Sequence, residues 1–370
     1  MYLTTLQLRY FRNYLEQLIE FQAQKTIILG NNAQGKSNLL EAIELLSSLK
    51  SHRSPKDRDL ICEAHQGAQI IGNVRRLYNE HQLAITFRAS GRRTIELNQE
   101  TLRRQIDFLG ALNAVQFSSN DLELVKGSPE YRRHWLDMLL VQLEPVYSSI
   151  LQEYQKILKQ RNALLKGIKE DKSDTLAYSL QMWNQQLVQV GSRVIRRRAR
   201  VIERLAPLAR DWHRKIASDK ETLEITYLAN VDYGTGQAEE IQRAFFARLE
   251  SRQVAELNLG TTVVGPHRDD LELSINQTSA KFYGSQGQQR TLVLSLKLAE
   301  LQLIEEVIGE APLLLLDDVL AELDLERQSQ LLQVIQDRYQ TLVTTTHLNS
   351  FAQPWLKDAQ ILTVKAGKIE

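Results

Sequence analysis

Gly30-Asn31-Asn32-Ala33-Gln34-Gly35-Lys36-Ser37 places the residue types that a nucleoside triphosphate needs at the spacing it needs them. Gly30 and Gly35 permit backbone angles closed to other residues, so the loop can wrap its N–H groups around a polyphosphate. The helix expected to follow, with Leu39, Leu40, Ile43 and Leu46 on one face, adds the positive end of its dipole. Lys36 would reach the β- and γ-phosphates, and Ser37 would ligate Mg²⁺. A second run, Ala311-Pro-Leu-Leu-Leu-Leu-Asp317-Asp318, completes such a site. Four consecutive leucines fit a strand buried on both faces of a parallel sheet, and a carboxylate at its C-terminal end sits where such sheets take ligands. Asp317 is expected to hold Mg²⁺ opposite Ser37, and Asp318 to act as general base toward the attacking water. Binding of ATP with Mg²⁺ is the first expectation.

Shorter motifs refine it. Ser285-Gln-Gly287-Gln288 precedes a long helical pattern, so its hydroxyl, bare N–H groups and helix dipole form a second anion site. Alone the tetrapeptide reads better as a plain helix cap; upstream of the Leu313–Asp317 strand it reads as an ABC-type signature. Ala321-Glu-Leu-Asp324 matches a D-loop, and His347, at the end of the expected buried strand Leu342 to Thr346, matches a switch histidine facing the γ-phosphate. Lys36, Asp318 and His347 form the expected catalytic set. Gln116, after the apolar run Leu112–Val115, is the candidate Q-loop residue. In ABC ATPases the signature helix of one subunit completes the P-loop site of another, so an ATP-dependent homodimer is expected. An aspartate at 318, one methylene shorter than the usual glutamate, points to slow hydrolysis.

These residues need elements to position them. Leu3-Thr-Thr-Leu-Gln-Leu, Ala84-Ile-Thr-Phe and Thr94-Ile-Glu-Leu-Asn read as alternating strands. From Tyr131 to about Lys169, and again from Leu176 through Leu180, Trp183, Leu187, Val190, Val194, Val201 and Leu205, apolar residues recur at three- and four-residue steps. Gly167 to Asp174 is the expected turn between two arms of about 35 residues each, and Pro145 should kink or divide the first run. A third helix spans about 237–257. The fold class is α/β, an ABC-type P-loop ATPase head split by a helical, coiled-coil-like lid. The expected domains are 1–120 with the P-loop, 121–258 as the lid, and 259–370 with signature, Asp317-Asp318 and His347.

Hydrophobic content of 43% and charged content of 25% are ordinary for a globular protein, and a net charge of +1 leaves any nucleic-acid contact to local patches. Arg193, Arg197, Arg200 and Arg204 form one helical stripe that could line up phosphates, or a solvated face with snorkelling arginines. The single cysteine, Cys62, excludes an internal disulfide, and no run approaches membrane-spanning length. The N-terminus reads as a strand rather than a signal peptide, so a cytoplasmic location is expected. On residue types alone a transporter ATPase subunit, a small-molecule kinase and a nucleotide-gated module without hydrolysis stay open.

The joint pattern resembles the RecF family of bacterial recombination-mediator ATPases. The family's Leu-x-x-Phe-Arg-Asn-Tyr stands here as Leu8-Arg-Tyr-Phe11-Arg12-Asn13-Tyr14. Ser51-His-Arg53, Asp57-Arg-Asp-Leu-Ile61, Asp121-Leu122, Val125-Lys-Gly-Ser-Pro129 and Arg132-Arg133 with Asp137 are similar to further family stretches. So are Gly265-Pro-His-Arg-Asp-Asp270 and Gly284-Ser-Gln-Gly-Gln-Gln-Arg290, so the match covers nearly the whole chain. The Asp317-Asp318 pair is the family's own form of this strand end, whereas Phe117-Ser-Ser119 departs from its Phe-x-Pro beside Gln116. The resemblance implies a weak DNA-dependent ATPase. It would dimerise on ATP, bind single- and double-stranded DNA at gaps, and help load a recombinase with a RecR-type mediator and usually RecO. It implies roles in DNA replication, repair and the SOS response.

Overall fold

The computed structural model describes residues 1–54, 56–170, 174–217, 220–335, 338–348, 351 and 353–370, with the side chains at 170, 174–178, 321, 322, 325, 326, 353 and 354 excepted. The middle of the expected turn at 167–174, and the side chains of Leu176, Ala321 and Glu322, therefore lie outside the described residues. The described chain forms two compact units. Met1–Leu122 and Arg290–Glu370 make one, and Glu123–Gln289 makes the other.

The first unit carries a parallel sheet in the order Ala359–Lys365, Lys25–Leu29, Thr341–Thr345, Leu313–Asp317, Ala114–Ser118, with the short strand Lys368–Ile369 antiparallel at one edge. Its central strands are short and apolar, and Ile27, Ile28, Leu313 to Leu316, Leu342 and Val343 are fully shielded from water. Strands covered on both faces need no alternation, which is why these read as continuous runs.

A second, antiparallel sheet runs Tyr14–Glu20, Tyr2–Phe11, Gly67–Arg75, Glu80–Arg88, Arg93–Leu97, Glu100–Thr101. Leu3, Leu6 and Leu8 all point into the core although Leu3 and Leu6 differ by an odd step. A register shift between Leu3 and Thr5 resolves this: the irregularity returns Leu6 to the buried face.

The second unit is mainly helical. Helix Pro129–Leu143 stops before Pro145 and helix Val146–Glu170 begins after it, so the proline divides the run. The arms are unequal: 25 residues for Val146–Glu170 against 43 for Asp174–Ile216, not two of similar length. Leu180, Leu187, Val190, Val194, Val201 and Leu205 are buried along the longer arm as the heptad-like spacing requires.

Helix Ala238–Leu259 ends in Gly260, whose φ of 71° suits a residue without Cβ. The contact boundary nevertheless falls after Gln289, not at 258, which corrects the expected domain limits. The cause is strand Asp270–Ile275. It pairs antiparallel with Leu223–Leu228, which follows the long arm, and so keeps residues 259–289 with the helices.

Charge is buried inside this unit. Arg161 is 1% exposed; its Nε donates to Asn184 Oδ1 at 2.8 Å, Nη1 to Thr262 Oγ1 at 2.8 Å and Nη2 to Glu256 Oε2 at 2.6 Å. The other oxygen of Glu256 accepts from Val263 N at 2.8 Å. Removing one partner of a buried pair leaves the other desolvated and unpaired, at about 3–5 kcal/mol, whereas apolar replacement of both can be neutral. Arg161→Leu should therefore lower the urea midpoint of the helical unit far more than the double change Arg161→Met with Glu256→Leu. A double variant as weak as the single one would refute that account.

Candidate functional site

Strand Lys25–Leu29 delivers the chain to Gly30, where a Cβ would stand 2.5 Å from the carbonyl oxygen of Val364, a space only glycine fits. The loop ends at Gly35 (φ 116°), where a Cβ would lie 2.7 Å from Asn13 Nδ2. Helix Lys36–Ser48 starts immediately, so the orphan N–H groups of its first turn lie next to the loop. Lys36 is buried and its Nζ bends back to donate to the Asn31 carbonyl at 3.1 Å, inside the cradle.

Ser37 Oγ donates to Asp317 Oδ1 at 2.8 Å, and Thr344 Oγ1 donates to the same oxygen at 2.8 Å. Thr344 lies opposite Asp317 in the sheet register, and its hydroxyl also accepts the Asp318 N–H at 2.9 Å. One threonine thus fixes both acids at the sheet's C-terminal edge. Thr344 carries no signal of its own in the sequence, since Thr341, Thr345 and Thr346 offer the same hydroxyl and only the pairing with Asp317 singles it out. Asp318 takes a left-handed φ of 54°, uncommon for a residue other than glycine. Burial pushes its carboxyl above the usual aspartate range, Lys36 pulls it down, and the neighbouring Asp317 pushes it up again. A carboxylate with a raised pKa is a stronger base.

The loop is held from both ends of the chain. Asn13 Nδ2 donates to the Gln34 carbonyl at 2.8 Å, Asn38 Nδ2 donates to Asn13 Oδ1 at 2.8 Å, and the Tyr14 hydroxyl donates to the Gly35 carbonyl at 3.0 Å. Arg12 grips fully buried Glu41, on the helix after the loop, through Nε at 2.9 Å and Nη2 at 2.6 Å. From the C-terminal hairpin, Ala366 N donates to Gln34 Oε1 at 2.7 Å and Gly367 N to the Gln34 carbonyl at 3.0 Å.

Other expected residues are placed less centrally. His347 is exposed two residues beyond strand Thr341–Thr345; its backbone exchanges bonds with Thr345 Oγ1, and no bond joins its ring to Lys36 or Asp318. Gln116 stands opposite Leu315 in the sheet, two positions short of Asp317, with both amide atoms buried and, among the described residues, unpaired. Asp324 is exposed and bound to Arg327 at the start of helix Leu325–Ile335: it accepts Arg327 N at 2.9 Å and forms an ion pair with its guanidinium. Asn31, Asn32, Ala33 and Gln34 form the loop as expected, and Ala33 takes φ 62°.

Ser285, Gly287 and Gln288 belong to the helical unit. Ser285 and Gln288 cap helix Gln286–Ile308 reciprocally: Gln288 N donates to Ser285 Oγ at 3.2 Å, and Ser285 N donates to Gln288 Oε1 at 2.9 Å. The Gln288 amide also donates to Glu221 Oε1 at 2.9 Å. The helix-cap reading is therefore physically realised. Of the arginine stripe, Arg193 lies 3.8 Å from Glu153, and Arg197 Nε donates to Glu144 at 2.9 Å. Arg200 and Arg204 are exposed without an ion pair among the described residues. Arg198, which the sequence places in the same basic run, is instead buried: it holds Asp137 through two bonds of 2.9 Å and also reaches Asp269 and the Pro266 carbonyl.

Comparison with known proteins adds identity to this geometry. The model of the RecF/RecN/SMC N-terminal domain matches residues 2–368. The protein named DNA replication and repair protein RecF from Gloeothece citriformis (strain PCC 7424) is 61% identical over 381 residues, covering 100% of this chain and 99% of that protein. The protein of the same name from Rippkaea orientalis is 63% identical over 377 residues, with 100% and 99% covered. A solved structure described as the recombination mediator protein RecF-ATPrS in the RecFOR pathway is 33% identical, with a TM-score of 0.93 over 100% of this chain and 97% of that one. An Smc head domain bound to the C-terminal domain of ScpA, from Pyrococcus furiosus, shares the fold at 17% identity, with a TM-score of 0.55 over 100% of this chain and 95% of that one.

The Asn13 bracket has a measurable consequence. Asn13→Ala removes two bonds to the loop and its helix, and a net loss of about 1.4 kcal/mol corresponds to a tenfold change in local opening. Amide hydrogen exchange across residues 31–38 should accelerate about tenfold while the helical unit is unaffected. Unchanged exchange in the loop would show that Asn13 does not hold it.

Proposed function

The chain belongs to the RecF family, and from that premise we propose that it is an ATP-dependent DNA replication and repair protein acting as a recombination mediator. The observation that carries the nucleotide chemistry is the 2.8 Å contact between Ser37 Oγ and Asp317 Oδ1, with Thr344 on the same oxygen. A hydroxyl and a carboxylate meeting beside a glycine-bounded loop are hard oxygen donors of the kind Mg²⁺ takes together with phosphate oxygens. Ser37 and Asp317 would hold that ion, which neutralises charge on the phosphates during transfer. The N–H groups of Asn31 to Ser37 would cradle the polyphosphate, and Lys36 would exchange its bond to Asn31 for one to the β- and γ-phosphates. Asp318 would take the proton of the attacking water, its side chain oriented by the left-handed turn and the Thr344 bond. Its short reach supports slow turnover.

The site is completed by a second copy of the chain. Ser285, Gly287 and Gln288 form the start of a long helix, and in an ATP-held homodimer that end would exchange its Ser285–Gln288 cap for the partner's γ-phosphate, with Asp324 and His347 at the seam. ATP then stabilises the dimer by mass action, and hydrolysis releases it. DNA, single- or double-stranded and near gaps, would be bound through exposed arginines, with Arg200 and Arg204 ahead of the two engaged with glutamates. RecR- and RecO-type mediators are the expected partners in recombinase loading. Among the described residues no helix is long and apolar enough to cross a membrane.

Anisotropy of a labelled gapped duplex tests this reading. Binding should require ATP·Mg²⁺, be lost in Lys36→Arg, and persist in Asp318→Asn while hydrolysis falls by at least a hundredfold. Nucleotide-independent binding, or full hydrolysis in Asp318→Asn, would overturn it. Charge reversal at Arg200 and Arg204 together should weaken DNA binding and reduce its salt slope by about 1 to 2; an unchanged slope would return the stripe to a solvated face.

A further inference from the structure

The helical unit contains a cleft of about 560 Å³ to which the nucleotide chemistry assigns nothing. That size lies within the range of small-ligand sites. It is lined by the start of helix Pro129–Leu143 and by helix Val146–Glu170, together with Arg198 and His267.

Several of the polar groups in this lining are already committed. Asp137 accepts both bonds from Arg198 and a third, at 2.6 Å, from the Tyr147 hydroxyl. The ring of His267 bonds the Thr262 carbonyl through Nε2 at 3.1 Å, so Nε2 carries the proton. Nδ1 then accepts from the Tyr154 hydroxyl at 2.6 Å. Burial lowers the His267 pKa to about 4 and keeps the ring neutral, in agreement with that tautomer. Neither Arg198, His267 nor Tyr154 therefore has its main hydrogen-bonding capacity open to a ligand.

Arg133 differs. Its only described bond runs from Nη1 to the Asp269 carbonyl at 2.7 Å, and it has no ion pair among the described residues. Neighbouring Arg132, by contrast, is paired with Asp270 through two bonds of 2.7 and 3.0 Å. Arg133 is half-buried on the cleft wall beside a second buried guanidinium, that of Arg198, so a fixed positive charge with open donors lines the cavity. Tyr131, from the same helix as Arg133, also lines the cleft and is 54% exposed although it is aromatic, and Leu151 and Leu158 from helix Val146–Glu170 supply apolar surface.

A guanidinium beside an exposed ring and an aliphatic wall is the combination that holds a phosphate with its attached base. We propose that this cleft binds one nucleotide of single-stranded DNA, with its phosphate on Arg133 and its base between Tyr131 and Leu158. The exposed Tyr131 ring favours this occupant over an acidic peptide, because a base can stack on it whereas a run of carboxylates cannot. The proposal rests on the DNA-binding reading above and adds to it a strand-specific site.

The test is anisotropy of a labelled thymidine oligomer of about 15 nucleotides and of a fully paired duplex, both with ATP·Mg²⁺. Arg133→Gln and Tyr131→Ala should each weaken single-strand binding about tenfold while leaving duplex affinity within about twofold. Tyr131→Ala alters only an exposed side chain, and thermal melting followed by circular dichroism checks that Arg133→Gln is folded. Unchanged single-strand binding in both variants, with the unmodified protein binding DNA, would overturn the cleft assignment alone. Binding of neither nucleic acid by the unmodified protein would overturn the DNA reading and this proposal together. Displacement of the oligomer by poly-glutamate from Arg133, lost in Arg133→Gln, would make the cleft an acidic-peptide site and overturn it too.

Discussion

Ser37 and Asp317 are 280 residues apart in the chain and share a 2.8 Å hydrogen bond. For that bond to form, strand Leu313–Asp317 must slot between Ala114–Ser118 and Thr341–Thr345, with Thr341–Thr345 in turn against Lys25–Leu29. Every strand in that path is short and buried, so the sheet has little freedom to slip. A one-residue shift of Leu313–Asp317 would turn a leucine toward Ser37 and bury a carboxylate among leucines, which no protein of ordinary stability tolerates. The nucleotide site and the core are thus the same constraint seen from two sides. Apolar packing holds the strands in register, and the register delivers the acids.

The helical unit is specified differently. Its long arms bury an apolar seam, but helices packed on such a seam can slide by a turn at small cost. Two guanidinium clusters restrict that freedom. Arg161 ties the first arm to Asn184 on the second, to Glu256 on the third helix and to Thr262. Arg198 ties the second arm to Asp137 and Asp269. A displaced arm would strand these charges without partners, so the ion pairs penalise alternative alignments more than they stabilise the native one.

Much of this was legible from residue types. The loop 30–37 and the Leu313–Asp318 run announce themselves because their chemistry is local: glycines, a lysine and a hydroxyl in one case, leucines and acids in the other. The dividing effect of Pro145 is equally local. What stayed hidden depends on pairing between distant segments. Thr344 matters only because it lies opposite Asp317, and Asn13 only because its strand brings it against Gln34. The unit boundary after Gln289 depends on Asp270–Ile275 pairing with Leu223–Leu228. Arg198 and Arg197 are adjacent and chemically identical, yet one is buried between two aspartates and the other sits on a surface glutamate, because consecutive helical positions point about 100° apart.

The strand that carries the phosphate loop has as its neighbours Thr341–Thr345 on one side and Ala359–Lys365 on the other. Neither has been made until synthesis passes residue 340. Until then Lys25–Leu29 has no partner in its sheet, and Gln34 lacks the two backbone donors that steady it from the C-terminal hairpin. Translation order therefore imposes a check on timing. An incomplete chain presents the loop 30–37 without the strand pairing and the two backbone bonds that set its geometry.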